Sequence, residues 1–177
     1  MLLPPVDPEV AARTFHRHLD TYWANRDLDS NGWSRVVVDP LHSVVSIPAQ
    51  RPDGTTEPYH FRLGAEYYDA FPPTVLIVAR TEGWPRARAG TTWWPKLSHP
   101  GWLALHDSYR YTNGQGQSVE GQLVCFSMTA EYYMSNHSPT ESQRWQQGRH
   151  TVAATLSRLA AVLSPPHYIG PDAPRPT

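Results

Sequence analysis

The sequence predicts an α+β fold made of an N-terminal helix, an antiparallel meander of about four strands, an irregular segment and a C-terminal helix. Three observations predict it. A stretch with apolar residues at three- and four-residue spacing lies near each end of the chain. Between them lie four short runs that are β-branched or alternate in polarity. Turn residues separate those runs by connections too short for parallel crossovers.

The first helix is expected over Glu9 to Asn25. Asp7 is placed to cap it, Pro8 suits a first helical position, and Ala11, Phe15, Leu19 and Tyr22 share one face. Arg13, His16, Arg17 and His18 fall on the other faces, as a solvated surface or a docking site. Asp29-Ser-Asn-Gly32 then signals a turn. Trp33 to Val38 and His42 to Ile47 read as strands on either side of Asp39-Pro40. Arg51-Pro-Asp-Gly54 is a second turn, Pro58 to Leu63 alternates as a strand should, and Thr74 to Ala79 is an apolar run suited to a buried strand. Pattern is lost from Arg80 to Leu97, where Gly83-Trp-Pro85 and Trp93-Trp-Pro95 suggest irregular structure pinned by aromatics. Tyr111 to Gly116 reads as a hairpin or surface excursion, and Leu123 to Met128 as a short apolar segment. A second main helix is expected from Thr140 to Leu163, weakened in its first half by Gly148. From Ser164 the chain is proline-rich, so one domain over 1–165 is expected, followed by an extended or disordered tail over 166–177.

With 177 residues, a net charge of -1 and interspersed charges, the chain lacks the basic stripe that nucleic acid requires. No run of apolar residues is long enough to span a bilayer, and a cytoplasmic location is expected. The seven Trp and nine Tyr suit a core and a protein-binding surface equally. The single cysteine, Cys125, has no partner for an intramolecular disulfide. It is either a small buried hydrophobe or a thiol kept for reaction.

The order of motifs around Cys125 resembles that of ubiquitin-conjugating (E2) enzymes, over roughly residues 8 to 163. Tyr68-Asp-Ala-Phe-Pro72-Pro73 is similar to the family's Tyr-Pro-x-x-Pro-Pro turn, without its first proline. Thr74 to Ala79 stands where the family has the last strand of its sheet, and His99-Pro100 where it has His-Pro-Asn. Gly121-Gln-Leu-Val-Cys125 is similar to the Gly-x-x-Cys approach to the catalytic cysteine, with one residue more. The chain departs from the pattern in three places. The family asparagine is replaced by Gly101, the segment Tyr109 to Val119 is longer than usual, and Ala70 replaces an aromatic that many members use to dock RING-type ligases. Such divergence resembles the prokaryotic E2-like branch found beside E1-like and ubiquitin-like genes, some of it in antiphage defence.

The resemblance implies a UBC-like fold and a transferase that needs no cofactor. Cys125 would accept a ubiquitin-like protein from an E1-like activating enzyme as a thioester and pass it to an amine on a target protein. A thiolate suits this role because it is nucleophilic near neutral pH and leaves readily when an amine attacks. The tetrahedral oxyanion needs a donor in place of the missing asparagine, and one such donor typically contributes about 3 to 4 kcal/mol. Asn136 and His137 are the first choices for the catalytic surroundings of Cys125 and Asn113 the second, with His137 also a possible base for the incoming amine. His99 reads as structural. Two other readings stay open: a catalytically inactive UBC-like protein-binding module, and a thiol hydrolase pairing Cys125 with a histidine. The scattered histidines do not form a metal-ligand pattern.

Overall fold

The computed structural model describes residues 3–4, 6–98, 100–135, 137 and 139–173. Helix α1 runs from Pro8 to Ala24, with Asp7 Oδ1 accepting the N–H groups of Glu9 at 2.9 Å and Val10 at 3.0 Å. Those are two of the donors that a helix start leaves without partners. Ala11, Phe15, Leu19 and Tyr22 are buried as their spacing predicts, and Trp23 joins them.

Four antiparallel strands follow: β1 (Ser34–Asp39), β2 (His42–Gln50), β3 (Thr56–Gly64) and β4 (Thr74–Val78), in spatial order β1-β2-β3-β4. Alternation sends Val45, Ile47, Tyr59, Phe61, Leu63, Val75 and Ile77 into one core with Phe15 and Leu19 of α1. Pleating places His42, Arg62, Thr74 and Leu76 on the opposite face of the sheet. The α+β class and the meander are as expected.

Beyond β4 the chain is irregular as far as β5 (Pro95–Leu97), and then forms a hairpin of β6 (Ala104–Thr112) and β7 (Ser118–Cys125). The expected insertion at Tyr109 to Val119 is the outer half of this hairpin, which reaches inward to Cys125 itself. A short helix α2 (Ala130–Met134) follows, then one 3-10 turn over Glu141–Gln143 and helix α3 (Val152–Val162).

The single helix expected from Thr140 to Leu163 is therefore corrected. Gly148 takes a left-handed backbone with φ of 76°, which an α-helix cannot continue through. Trp145 is buried from a loop, its N–H donating to Tyr133 Oη at 2.7 Å and its indole to the Asp69 carbonyl at 2.8 Å. Thr151 starts α3 by accepting the Ala153 N–H at 3.3 Å. The tail expected from 166 onward is instead structured through β8 (Tyr168–Pro171), paired with β5. Tyr168 is fully buried, shares a 2.8 Å hydrogen bond with Tyr59 and donates to Glu57, which Arg51 clamps with two bonds. Among the described residues no helix is long and apolar enough to cross a membrane.

Candidate functional site

Cys125 is the last residue of β7, opposite Ala104 at the start of β6. The side chain of Gln122, three residues earlier, fixes the hairpin to the sheet. Its Oε1 accepts the Ile77 N–H at 2.5 Å, and its Nε2 donates to the carbonyls of Ile77 at 3.2 Å and Ala87 at 3.0 Å. An amide thus takes the place of a fifth strand against the edge of β4. Just past the cysteine the buried Thr129 hydroxyl shares its single proton between the carbonyls of Val124 at 2.8 Å and Phe126 at 3.0 Å. These bonds turn the chain sharply into α2 and hold Cys125 at the bend.

Cys125 is 5 % exposed and lines an open cavity of about 350 Å³. His137 Nδ1 lies 3.8 Å from its sulfur. The His137 ring is stacked on Tyr132 of α2, with centroids 4.7 Å apart and planes 25° apart, while His137 as a whole is exposed. On the opposite wall, the Arg158 guanidinium of α3 sits 5.2 Å above Trp102, which meets Phe126 edge-on. Gly101 borders the cavity with φ of 72° and brings only backbone groups to it.

Burial, and then the negative charge of Glu131, push the Cys125 thiol up to about 12. At pH 7 only about one thiol in 10⁵ is ionised without help. Reaction at this sulfur therefore requires a group that takes its proton, and among the described residues His137 Nδ1 is the one in hydrogen-bond contact with it. Arg158 and Gln143 bring further donors to the same space.

The structure thus brings together Cys125 and His137, while Asn136 and His99 lie outside the described residues. Asn113 is corrected as an oxyanion donor. It occupies the turn at the far end of the hairpin, more than about 20 Å along β7 from the cysteine. There its Oδ1 accepts the N–H groups of Gln115 at 3.1 Å and Gln117 at 2.9 Å. The α1 histidines are engaged internally, His18 with Tyr68 Oη at 2.7 Å and His16 with the Pro40 carbonyl at 2.9 Å. Gln122, Thr129 and Tyr132 lie close to Cys125 in sequence, but their roles, like that of Arg158, depend on bonds and packing that form only on folding. No family model matches this chain, and no curated protein or solved structure matches it significantly.

Proposed function

We propose that the protein is an E2-like carrier on a UBC-like scaffold. Cys125 accepts the C-terminus of a ubiquitin-like protein from an E1-like enzyme and passes it to an amine on a target protein, in a bacterial conjugation pathway of the antiphage-defence kind. The observation that carries this reading is the 3.8 Å contact between Cys125 Sγ and His137 Nδ1 on the wall of a cavity open to solvent. The order of helix, four-strand meander, irregular segment, cysteine and C-terminal helix supports it.

In loading, the Cys125 S–H proton moves to His137 and the sulfur attacks the incoming thioester carbon. A new C–S bond forms as the bond to the activating enzyme's sulfur breaks. In discharge, a neutral amine attacks the same carbon, a C–N bond forms, the Cys125 sulfur leaves, and the amine's spare proton passes to a base. Donors such as Arg158, Gln143 or the backbone around Gly101 take the place of the missing asparagine beside the oxyanion.

Incubating the protein with its E1-like enzyme, the ubiquitin-like protein and ATP is expected to give a conjugate that thiols cleave. Cys125→Ala abolishes it. A wild-type protein that forms no conjugate with a verified partner pair sinks the proposal. Burial of Cys125 and its raised proton affinity favour a second reading, an inactive module that binds a protein partner through the same scaffold. Under that reading a thiol reagent leaves Cys125 untouched until the protein unfolds. Turnover of an ester or thioester without any activating enzyme marks a thiol hydrolase instead.

A further inference from the structure

A second cavity, of about 310 Å³, opens on the face of the sheet away from the core, between β2 to β4, α2 and the outer part of the β6–β7 hairpin. Its most unusual wall is Glu131 of α2, which is 3 % exposed. Glu131 Oε1 accepts the Val75 N–H at 2.9 Å, while Oε2 is buried with no hydrogen-bond partner among the described residues. A buried carboxyl oxygen without a partner is costly enough to require an explanation.

The rest of the wall is polar and built for room. Glu66 is held by His42 Nε2 at 2.8 Å and accepts the Thr74 hydroxyl at 3.1 Å, and His42 also meets Asp39 at 2.9 Å. A Cβ at Gly64 would strike the Thr74 hydroxyl and both Glu66 carboxylate oxygens, and one at Gly114 would strike the Tyr67 ring and hydroxyl. Two glycines therefore let Thr74, Glu66 and Tyr67 pack closely against the backbone where any side chain would displace them. Tyr67 and Tyr111 add phenol rings, and Arg62 adds a cation.

Charge selects the occupant. The carboxylates around His42 hold its imidazole proton more firmly than usual, the bond to Glu66 contributing most. Asp39 and Glu66 are already engaged with His42 while Glu131 keeps its proton. Ionisation of Glu131 adds one negative charge to this wall, and a ligand cation neutralises it.

We propose that this cavity binds a primary ammonium group, carried by a small alkylamine or by a lysine side chain, with the Glu131 carboxylate as counter-ion and Tyr67 and Tyr111 as aromatic walls. An ammonium supplies the missing partner of Oε2 and is attracted to the faces of phenol rings. Burial, and to a lesser degree the charge of Glu66, raise Glu131 to about 8, so entry of the cation expels its proton. Glu66, His42 and Arg62 face Glu131 from the sheet side, Tyr111 from β6 and Cys125 from β7. Alkylammonium ions keep their charge to pH values near 10, so any pH dependence below that reports on the protein.

Titration calorimetry of the full chain with n-butylamine, and separately with Nα-acetyl-lysine amide, tests this. Wild-type affinity for n-butylamine is expected to rise about tenfold per pH unit from pH 6 to 8 and level off above, with release of up to one proton seen as a buffer-dependent heat. Glu131→Gln retains an acceptor for the Val75 N–H, and is expected to weaken binding at pH 8 at least tenfold and to abolish proton release. Arg62→Ala is expected to tighten binding by removing a competing cation. Tighter binding of the lysine derivative points to a protein ligand and tighter binding of the free amine to a small molecule, both within the proposal. Equal binding of the neutral butyramide, unchanged binding in Glu131→Gln, or no binding of either amine at tens of millimolar overturns it.

Discussion

Cys125 and Glu131 are six residues apart, and burial raises the proton affinity of both, yet they stand in opposite situations. The thiol lies on the wall of an open cavity with an imidazole 3.8 Å away that can take its proton. The carboxyl lines the second cavity between α2 and the sheet and, among the described residues, is hydrogen-bonded on one oxygen only. What burial does to a titratable group is therefore only half of its chemistry; the other half is whether a proton acceptor stands beside it. The two are also linked, because negative charge on Glu131 is one of the causes that hold the thiol protonated. A cation beside Glu131 works in the opposite direction and eases ionisation of Cys125.

The largest expected effect lies on the cysteine side. Under the proposed carrier function, Cys125→Ala removes every thiol-cleavable conjugate while leaving the fold intact, since alanine is smaller and apolar at a nearly closed position. The next lies on the carboxyl side and concerns stability. Glu131 ionises near 8 when folded against an ordinary 4.5, so the folded chain binds more protons than the unfolded chain between those values. Stability from this group is fully present below pH 4.5 and is lost as pH rises towards 8, by at most about 5 kcal/mol. Glu131→Gln removes that slope and makes the protein more stable than wild type at pH 8, measured by urea denaturation across the range. A wild-type stability that stays flat from pH 5 to 8 would mean that Glu131 is ionised and stabilised by its surroundings, and the comparison with Cys125 would fail.

A third test addresses what holds the two groups in place. Gln122→Ala strips the Ile77 N–H and the Ala87 carbonyl of their partners at the edge of β4, while the Ile77 carbonyl keeps the Ala87 N–H at 2.9 Å. The expected loss is about 3 kcal/mol of stability, because unpaired buried groups keep their full desolvation cost. Thermal unfolding measures it, and Gln122→Glu is expected to recover only part of it, since a carboxylate accepts the Ile77 N–H but has nothing to donate to the carbonyls.

Much of the scaffold is legible in the chain because local chemistry decides it. The Asp7-Pro8 start of α1, the four strands and the turn at Arg51 to Gly54 follow from capping, alternation and turn residues. The helix expected at Thr140 fails at Gly148, and the tail fails at Tyr168, for the same reason. Trp145 and Tyr168 look like part of a helix face and of a loose end, but tertiary partners that lie 76 and 109 residues away in sequence, Asp69 and Tyr59, bury them. In the candidate site, Cys125 is legible as a lone thiol and His137 as a titratable neighbour. Glu131, Gln122 and Arg158 are not, because their roles come from elements that the chain brings together only on folding.

The smallest of these effects decides the most about mechanism. His137→Ala leaves Cys125 buried at the same bend, held by Thr129 and the hairpin, and takes away only the acceptor for its proton. Alkylation of Cys125 by iodoacetamide at pH 7 is then expected to slow by about tenfold, a modest share of what a positioned base can contribute. The gap between wild type and variant narrows as pH rises, since hydroxide increasingly ionises a thiol that lies near 12. His137→Gln keeps a polar side chain at the same position and is expected to behave like the alanine variant, which separates proton transfer from packing against Tyr132. If both variants react at the wild-type rate across pH 6 to 10, His137 does not take the proton. Cys125 then depends on a proton acceptor other than His137.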